Sequence, residues 1–210
     1  MKNFDLVLKQ VAALFVVGAL AGCASSGVPN ARGVPVRQMN PDERGFVAGT
    51  GMESQDLVAV TDKMSRSILA VPVILKAQVP PYVVLDPVLN ETRFPINKEI
   101  FLDRIRIQLN SKTLGKVKFL ARERLAALEK ERTAKLAGQF TSTSDPKIQE
   151  FKGADFLLTG KLQGMTTRTS KGTSDYILYS FQLIDARTTE IVWEDSAEVK
   201  KQGLEDAAYR

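Results

Sequence analysis

Three β-rich segments near the end of the chain constrain its fold more than any other feature. They lie at 154–164, 174–185 and 190–200. The second and third are joined by the short stretch 185–189, a length typical of a β-hairpin. The apolar runs 156–158 and 177–183 indicate a sheet that is buried on both faces. We therefore expect an antiparallel meander that forms the larger part of a sheet.

Helical and β patterns alternate before these strands. Ser54 can cap a helix whose apolar residues recur at helical spacing up to Val71, and Pro72 is expected to end it. The other elements predicted here are a strand over 82–86, a helix after Asn97, a strand over 116–121, an amphipathic helix over 122–137 and a short helix ending at Phe151.

This order of elements predicts an α/β fold. Strands alternate with helices in the first part and follow one another in the last part. The expected architecture is a single domain with a mixed sheet of about four to five strands flanked by helices. The sequence shows no internal repeat.

The beginning of the chain has the layout of a bacterial secretory signal. Lys2 and Lys9 precede the apolar stretch 11–19, which is too short to span a bilayer. Residues 20–23, Leu-Ala-Gly-Cys, resemble the lipobox of bacterial lipoproteins. That resemblance implies that Cys23 becomes the first mature residue and carries acyl chains. Because Ala24 rather than Asp follows it, we expect anchoring in outer-membrane lipid, on the periplasmic face.

A tether is expected between this anchor and the domain. Gly, Pro and Ser interrupt every short apolar run up to about residue 51. Fully extended, such a tether reaches at most ~100 Å, whereas a flexible coil spans ~30 Å. The predicted division is a signal peptide over 1–22, a lipidated tether over 23–51 and a globular domain over 52–210.

Composition excludes several classes of function. The chain has no His and one Cys, which excludes a structural zinc site, a catalytic His and an internal disulfide. The net charge of +5 comes from scattered residues, so no nucleic-acid partner is expected. We expect no metal and no cofactor.

No catalytic constellation is evident either. Ser144 and Lys147 match the S-x-x-K pattern of penicillin-binding proteins, but the companion motifs are missing, and Ser144 before Asp-Pro is typical of a helix cap. Gly160 and Lys161 lack the other residues of a phosphate-binding loop. The acidic residues of the strands are interpreted as solvated sheet edges: Asp155, Asp175, Asp185, Glu194 and Asp195. The chain is therefore not expected to be an enzyme.

Four aromatic residues of the meander are interpreted mainly as core. They are Tyr176, Tyr179, Phe181 and Trp193. Tyr and Trp are also common at protein interfaces, so a binding role stays open for some of them.

The strings that carry a family resemblance lie in the same region. FLDRIRIQLN (101–110), GADFLLTGKLQG (153–164) and SDYILYSFQLIDARTTEIVWEDSAEVKK (174–201) resemble LpoB-type penicillin-binding protein activators, which are outer-membrane lipoproteins. Weaker similarity extends to CsgG-type secretion lipoproteins and to the amino-terminal domain of TolB-type proteins. Thr189 stands where those strings usually carry Gly, which predicts an adjusted hairpin turn.

The resemblance implies a small α/β domain with a four-stranded sheet, similar to the TolB amino-terminal domain. It implies a partner, a bifunctional class A penicillin-binding protein in the inner membrane, whose peptidoglycan synthesis the lipoprotein activates allosterically. The alternatives are a subunit of a CsgG-type secretion channel and a periplasmic TolB-like scaffold domain.

Candidate partner-binding residues come from positions expected to be exposed. Arg168 and Lys171 fall in a loop predicted over 168–173, and Tyr176 follows closely. Arg104 lies on the basic face of the second helix. The protein is expected to be a monomer.

Overall fold

A computed structural model describes residues 36–140 and 150–204 of the chain. The helices are α1 (Ser54–Leu69), α2 (Pro72–Leu75), α3 (Glu99–Lys112) and α4 (Leu125–Leu136), the last preceded by a 3₁₀ turn (Arg122–Arg124). The strands are β1 (Tyr82–Leu85), β2 (Leu89–Glu91), β3 (Lys118–Phe119), β4 (Phe156–Thr169), β5 (Gly172–Asp185) and β6 (Ile191–Gly203).

Helix α1 forms where the apolar spacing predicts it. Its buried residues Val60, Met64 and Ile68 lie four apart, which aligns them on one side of the helix. The cap is Glu53 rather than Ser54, because Glu53 has the extended backbone of a cap and its N–H donates to the Asp56 carboxylate at 2.8 Å. The helix ends before Pro72, which occupies the first turn of α2, where its missing N–H costs nothing.

The six strands form one mixed sheet in the order β3-β1-β4-β5-β6, with β2 also paired to β4. β1 and β2 lie along the same side of β4, parallel to it, whereas β4, β5 and β6 are antiparallel. The predicted α/β fold with a mixed sheet flanked by helices is confirmed. The count exceeds the predicted four to five because β2 has only three residues and gives no periodic signal.

The core lies on one face of the sheet. The ring centroid of Phe101, from α3, is 5.4 Å from that of Tyr179 and 5.9 Å from that of Phe181. On the same face, the indole N–H of Trp193 donates to Ser67 of α1 at 3.0 Å. These contacts confirm that Tyr179, Phe181 and Trp193 belong to the core.

The opposite face of the sheet is only half-buried. Along β5 every second residue from Asp175 to Asp185 is buried, and the residues between them are of intermediate exposure. The expectation of burial on both faces is therefore wrong for this strand. The apolar run misled because its alternate members, such as Leu178 and Ile184, lie on the half-buried face, which we call the open face.

The predicted loop over 168–173 is instead a tight hairpin. β4 continues to Thr169, and β5 begins at Gly172. Only Ser170 and Lys171 form the turn. Gly172 makes this possible: its φ is +139°, and a Cβ there would lie 2.5 Å from the Gly203 carbonyl oxygen.

Several shorter predictions also need correction. The strand predicted over 116–121 keeps only Lys118–Phe119, because only these residues pair with β1. Of the short helix predicted before Phe151, residues 141–149 lie outside the described residues. Phe151 itself is not helical, and the guanidinium of Arg132 lies 5.2 Å from its ring centroid.

Candidate partner-binding surface

The structure places three of the four predicted binding residues around one end of the β4–β5 hairpin. Arg168 is the second-last residue of β4, Lys171 is in the turn, and Tyr176 is in β5. Arg168 and Lys171 are exposed, and Tyr176 is half-buried. Strand alternation puts Arg168 on the helix side of the hairpin and Tyr176 on the open face, so the group wraps around the hairpin end.

Strand register adds two residues to this group. Met165 of β4 and Lys200 of β6 lie on either side of Tyr176 in one row across the open face. Met165 is 65% exposed, which is unusual for a large apolar side chain on a sheet. Together, Met165, Arg168, Lys171, Tyr176 and Lys200 define what we call the hairpin surface. Met165 and Lys200 could not be predicted from the sequence, because only the register brings them beside Tyr176.

The hairpin surface carries three cations, and the Glu198 carboxylate lies beside its Tyr176. Arg168, Lys171 and Lys200 form no ion pair with any carboxylate among the described residues. Partial burial and the neighbouring Glu198 carboxylate raise the pKa of Tyr176 above its ordinary value. A hairpin end that carries three cations, a Met and a Tyr fits an acidic protein surface.

A buried ionic cluster supports the base of this hairpin. Asp175 is 2% exposed, and both its oxygens accept hydrogen bonds from Arg93, with Nε to Oδ1 at 2.9 Å and Nη2 to Oδ2 at 2.5 Å. The hydroxyls of Thr50 and Thr166 also donate to it, each at 2.5 Å. Burial alone would raise the pKa of Asp175, but these hydrogen bonds and the Arg93 charge outweigh it and lower the pKa to about 2.

The interpretation of Asp175 as a solvated edge residue is therefore wrong. Its partners Arg93 and Thr50 lie 82 and 125 residues away in the sequence, which no local pattern reveals. One signal was available: Asp175 falls in the same alternate positions as Ile177 and Tyr179, which are buried. Asp185 is also buried, and it holds Arg187 by two side-chain contacts at the next hairpin.

A second ion pair lies beside this cluster. Lys201 of β6 donates to the Asp56 carboxylate at 2.5 Å and to the Gly51 carbonyl oxygen at 3.0 Å. Thr50 and Gly51 are buried. The segment 49–51, which the sequence assigns to the end of the tether, is thus fixed to the sheet directly beneath the hairpin surface.

Arg104 has a different environment from the other predicted residues. It lies in α3, on the helix side of the sheet, where its Nε donates to the Thr61 hydroxyl at 2.8 Å and its Nη2 lies 3.5 Å from the Asp62 carboxylate. The structure does not bring it to the hairpin surface. Its guanidinium instead joins α3 to Thr61 and Asp62 of α1.

Three residues singled out in the sequence lie in parts of the chain that the structure does not describe. Cys23, Ser144 and Lys147 lie outside the described residues. Within residues 36–140 and 150–204, no helix combines the length and apolar character needed to cross a bilayer. In that same part of the chain, no group of three or more His, Cys, Asp or Glu side chains is placed to hold a metal ion.

Comparison with known proteins gives a family match. The model of the family described as "Peptidoglycan-synthase activator LpoB" matches residues 56–199, which include most of α1 and most of the sheet. No curated protein matches the chain.

Among solved structures, the LpoB C-terminal domain of Salmonella enterica is 14% identical, with a TM-score of 0.42, over 70% of this chain and 99% of that one. The corresponding Escherichia coli domain is 15% identical, with a TM-score of 0.37 and the same coverage. Lipoprotein GNA1162 of Neisseria meningitidis is 15% identical, with a TM-score of 0.37, over 59% of this chain and 84% of that one.

Proposed function

This chain belongs to the LpoB family of peptidoglycan-synthase activators, and from that premise we propose that it is an outer-membrane lipoprotein that binds and allosterically activates a class A penicillin-binding protein. The observation that carries the proposal is the family match over residues 56–199, since it covers the helices and strands that build the core. The protein acts as a regulator and catalyses no reaction itself.

The hairpin surface is the part of the domain that we assign to the synthase. Its three cations, which form no ion pair with the described residues, favour an acidic partner surface and speed encounter with it, while Tyr176 and Met165 supply apolar contact area. The buried Asp175 cluster fixes the hairpin base, so little conformational entropy is lost when the partner binds.

Activation follows from differential binding. A regulator can raise a synthase's rate only if it binds the active conformation more tightly than the inactive one. A rigid sheet surface suits this task because it selects the partner conformation that matches it. We propose that the contacts of Tyr176 and of the neighbouring cations provide the difference in binding free energy between the active and inactive synthase conformations.

The anchor and the tether complete the proposal. Acylated Cys23 would hold the chain in the outer membrane, and the residues between Cys23 and the fixed segment 49–51 would provide reach toward the inner membrane. Segment 49–51 is bound to the sheet. The tether would therefore pull on the domain at a point beneath the hairpin surface.

Binding to a purified class A synthase, measured by surface-immobilised interferometry, tests the assignment. The double variant Arg168→Glu/Lys171→Glu should weaken binding by about tenfold or more and reduce its salt dependence. The matched control is Lys130→Glu on the exposed side of α4, which should bind like the wild type. Equal binding by all three proteins would exclude the hairpin surface as the contact.

A further inference from the structure

β6 leaves one side of the sheet unpaired. It is the terminal strand in the order β3-β1-β4-β5-β6, and it extends over 13 residues, from Ile191 to Gly203. No strand among the described residues pairs with its outer side. A long edge of this kind presents a row of free N–H and C=O groups that can pair with another chain.

The hydrogen bonds of Ser196 show which residues face outward. Its N–H donates to the Asp195 carboxylate at 2.7 Å, and its carbonyl oxygen accepts from the Lys63 ammonium. In the two-residue β4–β5 hairpin the even-numbered residues of β5 bond to β4, so Ser196, which lies opposite Ser180, directs both groups away from the sheet. Since alternate residues share an edge, the backbone groups of Glu194, Glu198, Lys200 and Gln202 also point outward, and these four residues are exposed.

This edge is complementary to itself. If two copies paired antiparallel with Ala197 opposite Ala197, Glu194 of each copy would lie opposite Lys200 of the other. If Val199 lay opposite Val199, Glu198 would lie opposite Lys200. Opposite charges that face each other across strands stabilise pairing. Both registers use the N–H and C=O of Ser196, because it falls among the hydrogen-bonded positions.

The C=O and the N–H of Ser196 are already hydrogen-bonded to the side chains of Lys63 and Asp195, respectively. Lys63 projects from α1 and also pairs with Asp195 at 3.1 Å, so the two side chains hold each other at the middle of the edge. We propose that Lys63 and Asp195 block β6 from pairing with β6 of a second copy. The protein stays monomeric as a result, and the neighbouring hairpin surface stays available. This inference does not depend on which partner that surface binds.

Sedimentation velocity of the full chain in a density-matched detergent tests the proposal. The wild type should sediment as a monomer at every concentration. Lys63→Ala/Asp195→Ala should form a dimer with doubled protein mass, and Lys63→Ala alone should form a weaker dimer. Lys63→Ala is safe for folding because alanine is a strong helix former, and circular dichroism confirms the fold of each variant.

Two further variants test whether the dimer uses this edge. Adding Ser196→Pro should restore the monomer, because proline removes the outward N–H and is tolerated on an edge strand. Glu91→Ala/Lys161→Ala removes an exposed ion pair elsewhere on the sheet and should stay monomeric. The proposal is overturned if the wild type is a dimer, if folded Lys63→Ala variants stay monomeric, if Ser196→Pro leaves the dimer intact, or if the control dimerises.

Discussion

The Asp175 carboxylate joins three segments that are distant in the sequence. It accepts hydrogen bonds from Thr50 before α1, from Arg93 after β2 and from Thr166 on the neighbouring strand. A buried carboxylate is stable only when such donors satisfy it. The cluster therefore ties the start of the domain and the loop after β2 to the base of the hairpin.

Replacing this carboxylate should destabilise the fold in a pH-dependent way. Because the pKa of Asp175 is lowered from 3.8 to about 2, ionised Asp175 stabilises the folded state by about 2 kcal/mol. Asp175→Asn should lose at least that much at pH 7, because the carboxylate charge that Arg93 pairs with is removed. The wild type should lose this advantage as the pH falls from about 4 toward about 2. Urea unfolding at pH 7 measures the stability lost in Asp175→Asn. Urea unfolding of the wild type between pH 4 and pH 2 measures the pH dependence.

An exposed aspartate provides the control for that substitution. Asp103 pairs with Arg106 at 2.9 Å on the surface of α3, and its side chain is 54% exposed. Asp103→Asn should change the free energy of unfolding by less than about 0.5 kcal/mol. A similar loss in both variants would show that burial of Asp175 does not set its contribution.

Thr189 is a second position at which a single residue should affect the free energy of unfolding. It has a φ of 66°, the left-handed conformation that glycine adopts without strain. The hairpin has therefore kept the backbone that glycine usually provides. Thr189→Gly should raise the free energy of unfolding by about 0.5 kcal/mol, because relief of roughly 1 kcal/mol of strain exceeds the added entropy of the unfolded chain. Thermal unfolding against Thr188→Gly as control measures this, and a loss of stability in Thr189→Gly would contradict it.

At the scale of elements, the segment 49–51 acts as part of the domain. Thr50 bonds Asp175, and the Gly51 carbonyl accepts from Lys201. A chain that begins at Gly49 should therefore unfold with nearly the free energy of one that begins at Met39. A chain that begins at Glu53 loses the hydrogen bonds that Thr50 makes with Asp175 and Arg93 and that Gly51 makes with Lys201, and it should be less stable by about 2 kcal/mol. Urea unfolding of the three chains tests this, and equal stability of all three would show that the segment is not fixed.

Much of the fold was accessible from the sequence because its elements carry strong local patterns. The spacing of Val60, Met64 and Ile68 marks α1, and the apolar run 177–183, rich in β-forming residues, marks β5. The resemblance to LpoB-type proteins also rests on short contiguous strings.

The features that sequence analysis missed depend on contacts between distant residues. β2 is a strand only because it lies along β4. The hairpin turn at Ser170 and Lys171 depends on the close approach of Gly172 to Gly203. The row of Met165, Tyr176 and Lys200 exists only once the register of three strands is fixed.

At the scale of the whole molecule, the anchor should be separable from the fold. Cys23 lies far from the core in sequence, so Cys23→Ser should abolish lipidation and leave the unfolding of the domain unchanged. Incorporation of labelled palmitate in cells, compared with the wild type, measures the first effect. Label that still enters the Cys23→Ser protein would refute the assignment of the lipobox.

Reach should limit function in the cell. Removing ten residues within 28–38 shortens the contour by about 35 Å, since each residue spans at most ~3.3–3.6 Å. The shortened protein should activate a purified synthase normally but fail to support growth that depends on it, and ten added flexible residues should restore that growth. Full function of the shortened protein in cells would show that tether length is not limiting.

The most direct test of the central claim is the initial rate at which a purified class A penicillin-binding protein polymerises glycan strands, measured with and without this protein. The wild type should raise the rate in a saturable manner. Arg168→Glu/Lys171→Glu should need a concentration about tenfold higher or more for the same effect, and Lys130→Glu should match the wild type. An unchanged polymerisation rate at saturating wild-type protein would contradict the account.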